Sequence, residues 1–434
     1  MIVDGDGVGL DFAMRAQEAG HEIKLFQRPE PDGTKSLDGR GLVEKVPEWE
    51  KWTQWADLIV PTTNARYLDR LEDFRKLGYP IFGPSKQSAM LEIDRRYGME
   101  ILKRHGVAVP PYRMYNSLAE AEAECWKKDR RYVFKTMGDA EDKSLSYVAR
   151  DSGDMINTLR LWRKRGQVNG VHCMLQDFIA GVEFGVSSWV GRDGFLSLKG
   201  ENVEHKKLMS GNYGPNTGET GTLMWYAERS KLFDQTLKPM EKFLLSIGHR
   251  GDVDLNCIVD EAGKPWVLEW TARLGWPAFF IMCAQHEEVC QWMLDALQGR
   301  DTLKASLDPF VGVLISIPPF PNKYARHDQT VGIPIQGITE KNWPHLHMAQ
   351  AMAGRGVEVE NGKPVMKDML LTTGHYVCVA SGSGKTIRAA RKQAYEIADQ
   401  ITIRNPQIRD DIGEDFAKKL PALQAQGYAT TIRA

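Results

Sequence analysis

The sequence predicts a multidomain protein mixing α/β and α+β architecture, with an α/β unit at each end of a mainly antiparallel middle. Three observations lead there. The chain opens as strand, glycine-containing turn, helix and second strand, the start of a parallel α/β unit. Its middle is a succession of short apolar runs separated by polar turns, and a last α/β segment begins at Val311. A length of 434 residues suits about three domains of ~100–200 residues each. The expected boundaries are 1–88, 89–308 (a smaller lobe about 107–170 and a larger one about 171–308) and 309–434.

Met1-Ile2-Val3 is the first strand, the run from Leu10 to Ala19 a helix closed by Gly20, and Glu22–Phe26 the second strand. Ala56–Val60 reads as a third strand, Tyr67–Gly78 as a helix and Pro80–Gly83 as a short fourth strand. One helix is expected from Lys86 to His105, stopped by Gly106 and the Pro110-Pro111 pair. Tyr132–Lys135 and Leu145–Ala149 read as a hairpin around a loop with Gly138 and Lys143. His172–Phe178, Phe184–Val190 and Phe195–Leu198 are expected in a larger antiparallel sheet. After a Gly/Asn-rich stretch, His205–Thr222, a long helix to Ile247 is expected, then strands at Asp254–Val259 and Trp266–Trp270, and a segment Gln285–Gln298.

Near the C-terminus, Gly382-Ser383-Gly384-Lys385-Thr386 imitates the end of a P-loop. The motif needs a glycine five residues before Gly384, where backbone N–H groups turn toward phosphate, and position 379 is Val. The reading is a turn between the strand His375–Ala380 and a helix Thr386–Ile403.

Hydrophobic residues at 42% and charged residues at 26% describe a globular protein, and a net charge of −1 gives no global field for nucleic acid or acidic membranes. The 6 cysteines lack C-x-x-C spacing, which argues against a zinc site or disulfide framework and suits a cytoplasmic setting. No run is apolar enough for a membrane span.

Four segments carry candidate chemistry. Lys135, at a strand end facing a Gly-containing loop, is a way to neutralise nucleotide phosphates, although a lone strand-end lysine is more often a solvated surface residue. Gln176-Asp177 and Glu183 flank a turn where side chains can meet an adenine amino group or ribose hydroxyls, and the bland reading is a polar turn. The Gly-rich stretch after Lys206-Lys207 is more specific: Gly214, Pro215, Asn216, Thr217 and Gly218 leave backbone N–H groups free for an anion. In a hairpin, Glu269 and Thr271 share a face with Asn256 across from them, a set of oxygen ligands suited to Mg²⁺ beside ATP phosphates, with Arg273 just beyond. In the first loop, Gly5, Gly7 and Gly9 fail the dinucleotide fingerprint because Leu10 stands where the third glycine belongs, and an anion-binding turn at a helix N-terminus remains.

In this order the segments resemble the ATP-grasp superfamily, in particular the phosphoribosylamine–glycine ligase (glycinamide ribonucleotide synthetase) family. Ile81-Phe82-Gly83-Pro84-Ser85 with Leu91-Glu92 is similar to its I-F-G-P-T…L-E, and Val133-Phe134-Lys135 to its V-I-K. His205-Lys206-Lys207 through Gly218 is similar to its H-K-R…G-P-N-T-G-G-M-G, and Leu268–Gly275 to its I-E-F-N-C-R-F-G. The resemblance implies an ATP-grasp fold with an N-terminal parallel α/β domain and a small C-terminal α/β domain. It also implies an enzyme that phosphorylates a carboxylate with ATP for attack by an amine, with ATP and Mg²⁺ (or Mn²⁺) as cofactors. By the same resemblance, Arg273 and Lys206 are catalytic, and Lys135, Lys143, Gln176, Asp177 and Glu183 bind ATP. Glu269, Asn256 and Thr271 hold metal, while Gly5, Gly7, Gly9 and Gly214 to Gly218 bind substrate. Partners are a small amine and an amino acid, with neither nucleic acid nor membrane, and a monomer or homodimer is expected.

Departures gather on the substrate side. The family's G-N-G-G-R-E-H is Gly5-Asp6-Gly7-Val8-Gly9-Leu10-Asp11 here, and Pro61–Ala65 replaces G-P-E-A-P-L. An expected lysine is Met99, with Lys103 a turn later as a substitute. The family's G-L-A-A-G-K-G loop is reduced to Gly138–Ser144, Thr271 replaces an Asn, and Trp276-Pro277-Ala278 replaces Asp-Pro-Glu. Three readings follow: a ligase of glycine or a similar amino acid, a diverged ligase using another amine such as a modified nucleotide or base, and an inactive nucleotide-binding relative.

Overall fold

An eight-stranded sheet carries the architecture, in the order Pro265–Thr271, Gly251–Val259, Val182–Val190, Phe195–Glu204, Gly221–Ala227, Phe310–Ser316, Tyr376–Ser383 and Leu346–Met348, every neighbour antiparallel. The computed structural model describes residues 1–30, 33–136, 146–166, 172–322 and 329–434. The loop with Gly138 and Lys143 lies outside the described residues.

Both faces of this sheet are covered. Along Gly221–Ala227, Leu223 and Trp225 face a core shared with Leu102, Leu244 and Phe416, while Met224 and Tyr226 face one built from Phe280, Met282 and Trp292. That double burial corrects the expectation of a long helix here. A continuous apolar run fits a buried strand as well as a helix, and the helical part starts only where Ser230 caps the Phe233 N–H at 3.1 Å. Two short helices follow, Lys231–Gln235 and Glu241–Ser246, and the segment expected at Gln285–Gln298 shortens to Gln291–Leu297.

A second, four-stranded antiparallel sheet orders Tyr112–Tyr115, Cys173–Asp177, Tyr132–Thr136 and Tyr147–Val148. Cys173–Asp177 therefore belongs to this smaller sheet and not to the larger one. Strand composition cannot tell which sheet receives a strand, since pairing is set by partners distant in sequence. The expected 132–149 hairpin is present as the pairing of Val133 with Val148 and Phe134 with Tyr147.

The N-terminal unit is parallel as expected, with Ile2–Asp4 between Leu25–Gln27 and Val60–Pro61. The expected fourth strand is reduced to one bridge, Ile59 to Ile81. The helix expected over Lys86–His105 breaks into Lys86–Ile93 and Arg95–Arg104, because Asp94 adopts an extended conformation and its carboxylate caps the Tyr97 N–H at 3.0 Å. Gly98 lets the second helix close onto its surroundings, since a Cβ there would lie 2.2 Å from the Leu91 carbonyl oxygen and 2.9 Å from the Trp270 ring.

The Gly382–Thr386 stretch is a packing device. Its strand runs to Ser383, and the Thr386 hydroxyl caps the helix Ile387–Ala398 through the Ala389 N–H at 3.1 Å. A Cβ on Gly382 would lie 2.3 Å from the Ala394 nitrogen, so glycine is what lets strand and helix touch.

Candidate active site

The seam between the two sheets brings together Lys135, Gln176, Glu183, Lys206, Asn256 and Glu269. Lys135 and Gln176 share one face of the small sheet, because Lys135 pairs with Met174 and Val133 with Gln176. The Lys135 ammonium donates to the Leu268 carbonyl oxygen at 3.1 Å and so bridges to the large sheet. Burial, with Arg95 and Lys206 as like charges, pulls its pKa down to about 7. Gln176 is buried with its Nε2 unpartnered, a donor available to a ligand. Asp177 lies on the opposite face and pairs with Arg130 at 3.2 Å, so the structure does not bring its side chain to the seam.

Across the seam, the strands carrying Asn256 and Glu269 pair in register, Asn256 facing Glu269 and Asp254 facing Thr271. Glu269 receives the Lys206 ammonium at 2.8 Å, and Lys206 also meets Glu204 at 2.9 Å and Glu183 at 3.9 Å. Burial works to lower the Lys206 pKa, but these three carboxylates outweigh it and hold it well above the usual lysine value. Asn256 donates its Nδ2 to Glu183 at 2.8 Å. Among the described residues no three carboxylate, histidine or cysteine groups are disposed to hold a metal ion by themselves. The Lys206 ammonium is the cation between the carboxylates in this arrangement.

Arg273 stands at the next corner, 3.3 Å from Glu92, which also accepts from Asn64 at 2.7 Å and the Ala272 N–H at 2.9 Å. Glu92, and after it Asp6 and Glu204, raise the Arg273 pKa against the effect of burial. Through Glu92, which also accepts from Asn64, the guanidinium is tied to the N-terminal unit.

The first loop already holds an anion of its own. Asp4, fully buried, accepts from the Val8 N–H at 3.0 Å, the Gly9 N–H at 2.9 Å and the Thr62 hydroxyl at 2.8 Å. Gly7 has a φ of 74°, and a Cβ on it would lie 3.2 Å from Asp38, while Gly5 closes against Thr63. Burial and the Asp4 charge raise the Asp38 pKa to about 6.

The Gly-rich stretch is a small hairpin, Lys207–Met209 against Tyr213–Asn216. Gly214, Pro215 and Gly218 are exposed, Thr217 bonds back to the Lys206 carbonyl at 2.9 Å, and Asn216 reaches the Ser146 carbonyl of the small lobe at 3.0 Å. Its other limb is clamped by a residue that the sequence reading passed over. Arg409, nearly fully buried, donates to the Lys207 carbonyl at 2.9 Å and to Asn212 at 2.8 Å, and pairs with Asp411 at 2.5 Å.

Two more residues were missed. Arg95 lies 3.6 Å from Glu269 and lowers the Lys135 pKa, whereas the expected substitute Lys103 is exposed over the Tyr112 ring at 4.0 Å, and Met99 is core. Asp254 is buried on the Asn256 face with Oδ1 unpartnered, and burial, then Glu204, hold its pKa well above the carboxylate range. The alternation Asp252, Asp254, Asn256 was its visible signal. Lys385 is exposed and pairs with Asp308 at 3.1 Å.

No protein-family model matches the chain. The phosphoribosylamine–glycine ligase of Streptococcus pneumoniae is 25% identical over 440 residues, covering 96% of this chain and 99% of that protein. That of Vibrio cholerae is 25% identical over 356 residues, 79% of each chain. The crystal structure of phosphoribosylamine–glycine ligase from Thermotoga maritima superposes with a TM-score of 0.69 at 22% identity, over 95% of this chain and 99% of that one. The chain is a diverged relative of the phosphoribosylamine–glycine ligases, with the ATP-grasp fold. A biotin carboxylase from Campylobacter jejuni shares the fold at a TM-score of 0.59 and 13% identity, covering 98% of this chain and 96% of that one. Among the described residues no helix is long and apolar enough to cross a membrane.

Proposed function

We propose that the protein is an ATP-dependent carboxylate–amine ligase, which activates glycine or a similar small amino acid as an acyl phosphate and joins it to an amine, releasing ADP and phosphate. The observation that carries this reading is the convergence of Lys135, Lys206, Glu269, Asn256 and Glu183 where two sheets meet. Lys135 and Lys206 neutralise transferring phosphate, Gln176 and Glu183 meet the adenosine part, and Arg273 grips the carboxylate or phosphoryl oxygens. The chain supplies position and charge, with no protein nucleophile.

A divalent cation, Mg²⁺ or Mn²⁺, fits the residues present. Glu269, Asn256 and Thr271 offer oxygen donors on one face, and the unpartnered buried Asp254 Oδ1 adds another. Bound there, it would draw charge from the phosphates. Lys206, now among those carboxylates, would then be released toward phosphate.

The Asp4 carboxylate in the first loop favours an amine other than phosphoribosylamine. A phosphate placed there would face the buried Asp4 and Asp38 instead of free N–H donors. Hydroxylamine trapping tests the ligase itself: ATP, Mg²⁺ and a panel of amino acids should yield hydroxamate with stoichiometric ADP. Intact ATP binding without hydroxamate or ADP under any pairing would instead support a non-catalytic relative.

A further inference from the structure

Beside the phosphate-handling cations lies a group of side chains that the chemistry above leaves unused: Glu219, Tyr376 and Trp276. Glu219 directly follows the Gly214–Gly218 stretch, is 4% exposed, and accepts the Thr222 hydroxyl on Oε1. The charges acting on it are Glu204 and Asp254, both acidic, and Lys206, whose ammonium is taken by Glu204 and Glu269. Among the described residues no cation forms an ion pair with Glu219. A buried carboxylate without a cation costs several kcal/mol, and burial accordingly drives its pKa well above the carboxylate range.

Two further observations point to a ligand. The Tyr376 hydroxyl is buried and feels the Glu219 charge, and its hydrogen-bonding neighbour is the Trp276 side chain, at a geometry looser than a regular hydrogen bond. The Tyr376 ring lies against Trp276 with centroids 4.7 Å apart and planes at 52°, and Phe320 adds a third ring 5.8 Å from Tyr376. Aromatic faces attract cations, the more so when desolvated. An anion here would be repelled by Glu204, and an apolar group would leave Glu219 without a counter-charge.

We propose that Glu219, walled by Trp276 and Tyr376, binds a non-reacting ammonium group of a substrate. The inference rests on the ligase reading, because only a two-substrate reaction distinguishes a held ammonium from a reacting amine. A nitrogen that attacks an acyl phosphate needs a free lone pair. One kept protonated against a carboxylate is silent, so an amino acid held this way is not acylated on its own amino group. The ammonium comes either from the α-amino group of the carboxylate substrate or from the far end of a diamine acceptor.

The experiment separates these sources. With the full chain, ATP and Mg²⁺, hydroxamate formation is compared for glycine against glycolate and alanine against lactate. Amide formation, at saturating carboxylate, is compared for 1,4-diaminobutane against butylamine. The ammonium-bearing member of one set should be preferred about tenfold or more in kcat/KM, and Glu219→Gln should erase that preference through KM, with the KM for ATP unmoved. Tyr376→Phe, which keeps the ring, should reduce it less. An equal preference in wild type and Glu219→Gln for every pair overturns the proposal. Absence of hydroxamate and ADP for every carboxylate overturns the ligase reading instead. Calorimetric titration of glycine and of 1,4-diaminobutane then decides the subsite: binding heat lost in Glu219→Gln supports it, and no heat, or equal heat in both proteins, overturns it.

Discussion

Lys135 makes a quantitative prediction about protons. Its pKa lies near 7 in the free protein, pulled down first by burial and then by Arg95. With Lys135 at the ATP phosphates, as proposed, the ammonium form is the one that binds, and ATP binding at alkaline pH should take up a proton. With a pKa of about 7, roughly 0.9 of Lys135 is neutral at pH 8, about 0.5 at pH 7 and about 0.1 at pH 6. Proton uptake should follow those fractions, and the affinity should fall toward tenfold per pH unit above 7 and level off below. The assay is calorimetric titration of a non-hydrolysable ATP analogue with Mg²⁺, in two buffers of different ionisation enthalpy at each pH. Taking wild type minus Lys135→Met removes the protons exchanged by the nucleotide, the metal and buried acids such as Asp254. Equal proton uptake in the two proteins at pH 8 refutes either the placement of Lys135 at the phosphates or its depressed pKa. The sign for stability is set by the same shift. Between about 7 and the ordinary value of 10.5 the unfolded chain binds more protons at this residue than the folded one, so its contribution to free-protein stability rises with pH across that window.

Four further outcomes are expected. Glu269→Gln keeps the shape but removes the charge facing Lys206 and Arg95, and hydroxamate formation should drop by about 10²–10³-fold with an unchanged circular dichroism spectrum; wild-type turnover in that variant would remove Glu269 from the site. Lys385→Ala should leave ATP affinity as it is by equilibrium binding, since its ammonium is in solvent beside Asp308. Arg409→Leu strands Asp411 and the Lys207 carbonyl, and a loss of about 3–5 kcal/mol in denaturant melts, with a raised KM for ATP, should follow. Gly382→Ala forces a methyl against the Ala394 backbone and should cost at least about 1–3 kcal/mol in the same melts without specific change in KM.

What the sequence made legible was local. The Asn256–Glu269 hairpin, the opening parallel unit and the strand-to-helix turn at Gly382–Thr386 each follow from alternation or from a cap, which neighbouring residues decide. What escaped depended on distant partners. The run Gly221–Ala227 is a strand because two separate cores cover its faces, and Cys173–Asp177 joins the small sheet because Tyr112–Tyr115 and Tyr132–Thr136 flank it. Arg95 escaped because a cap at Asp94 turns the second helix and brings a residue from its first turn toward Glu269, while Lys103 faces solvent. A single uninterrupted helix offers no reason to choose between them. Arg409 escaped because its partners Lys207 and Asn212 are about two hundred residues away in sequence.

The electrostatics of the two ends of the seam bear on which substrates the chain can accept. Around the Lys135 end stand Arg95, Lys206 and Arg273, with carboxylates that a divalent cation would offset. Toward the first loop stand Asp4 and Asp38, buried, together with Asp6, which is paired with Arg66 at 3.3 Å. Charges in a low-dielectric setting act far more strongly than on the surface, so a phosphate would be favoured at the first end and opposed beside Asp4. A ligase needs phosphate handling only where ATP reacts. An acceptor without phosphate next to the Gly5–Gly9 loop would leave the Asp4 bonds to Val8, Gly9 and Thr62 intact, whereas a phosphorylated acceptor would have to displace that carboxylate first.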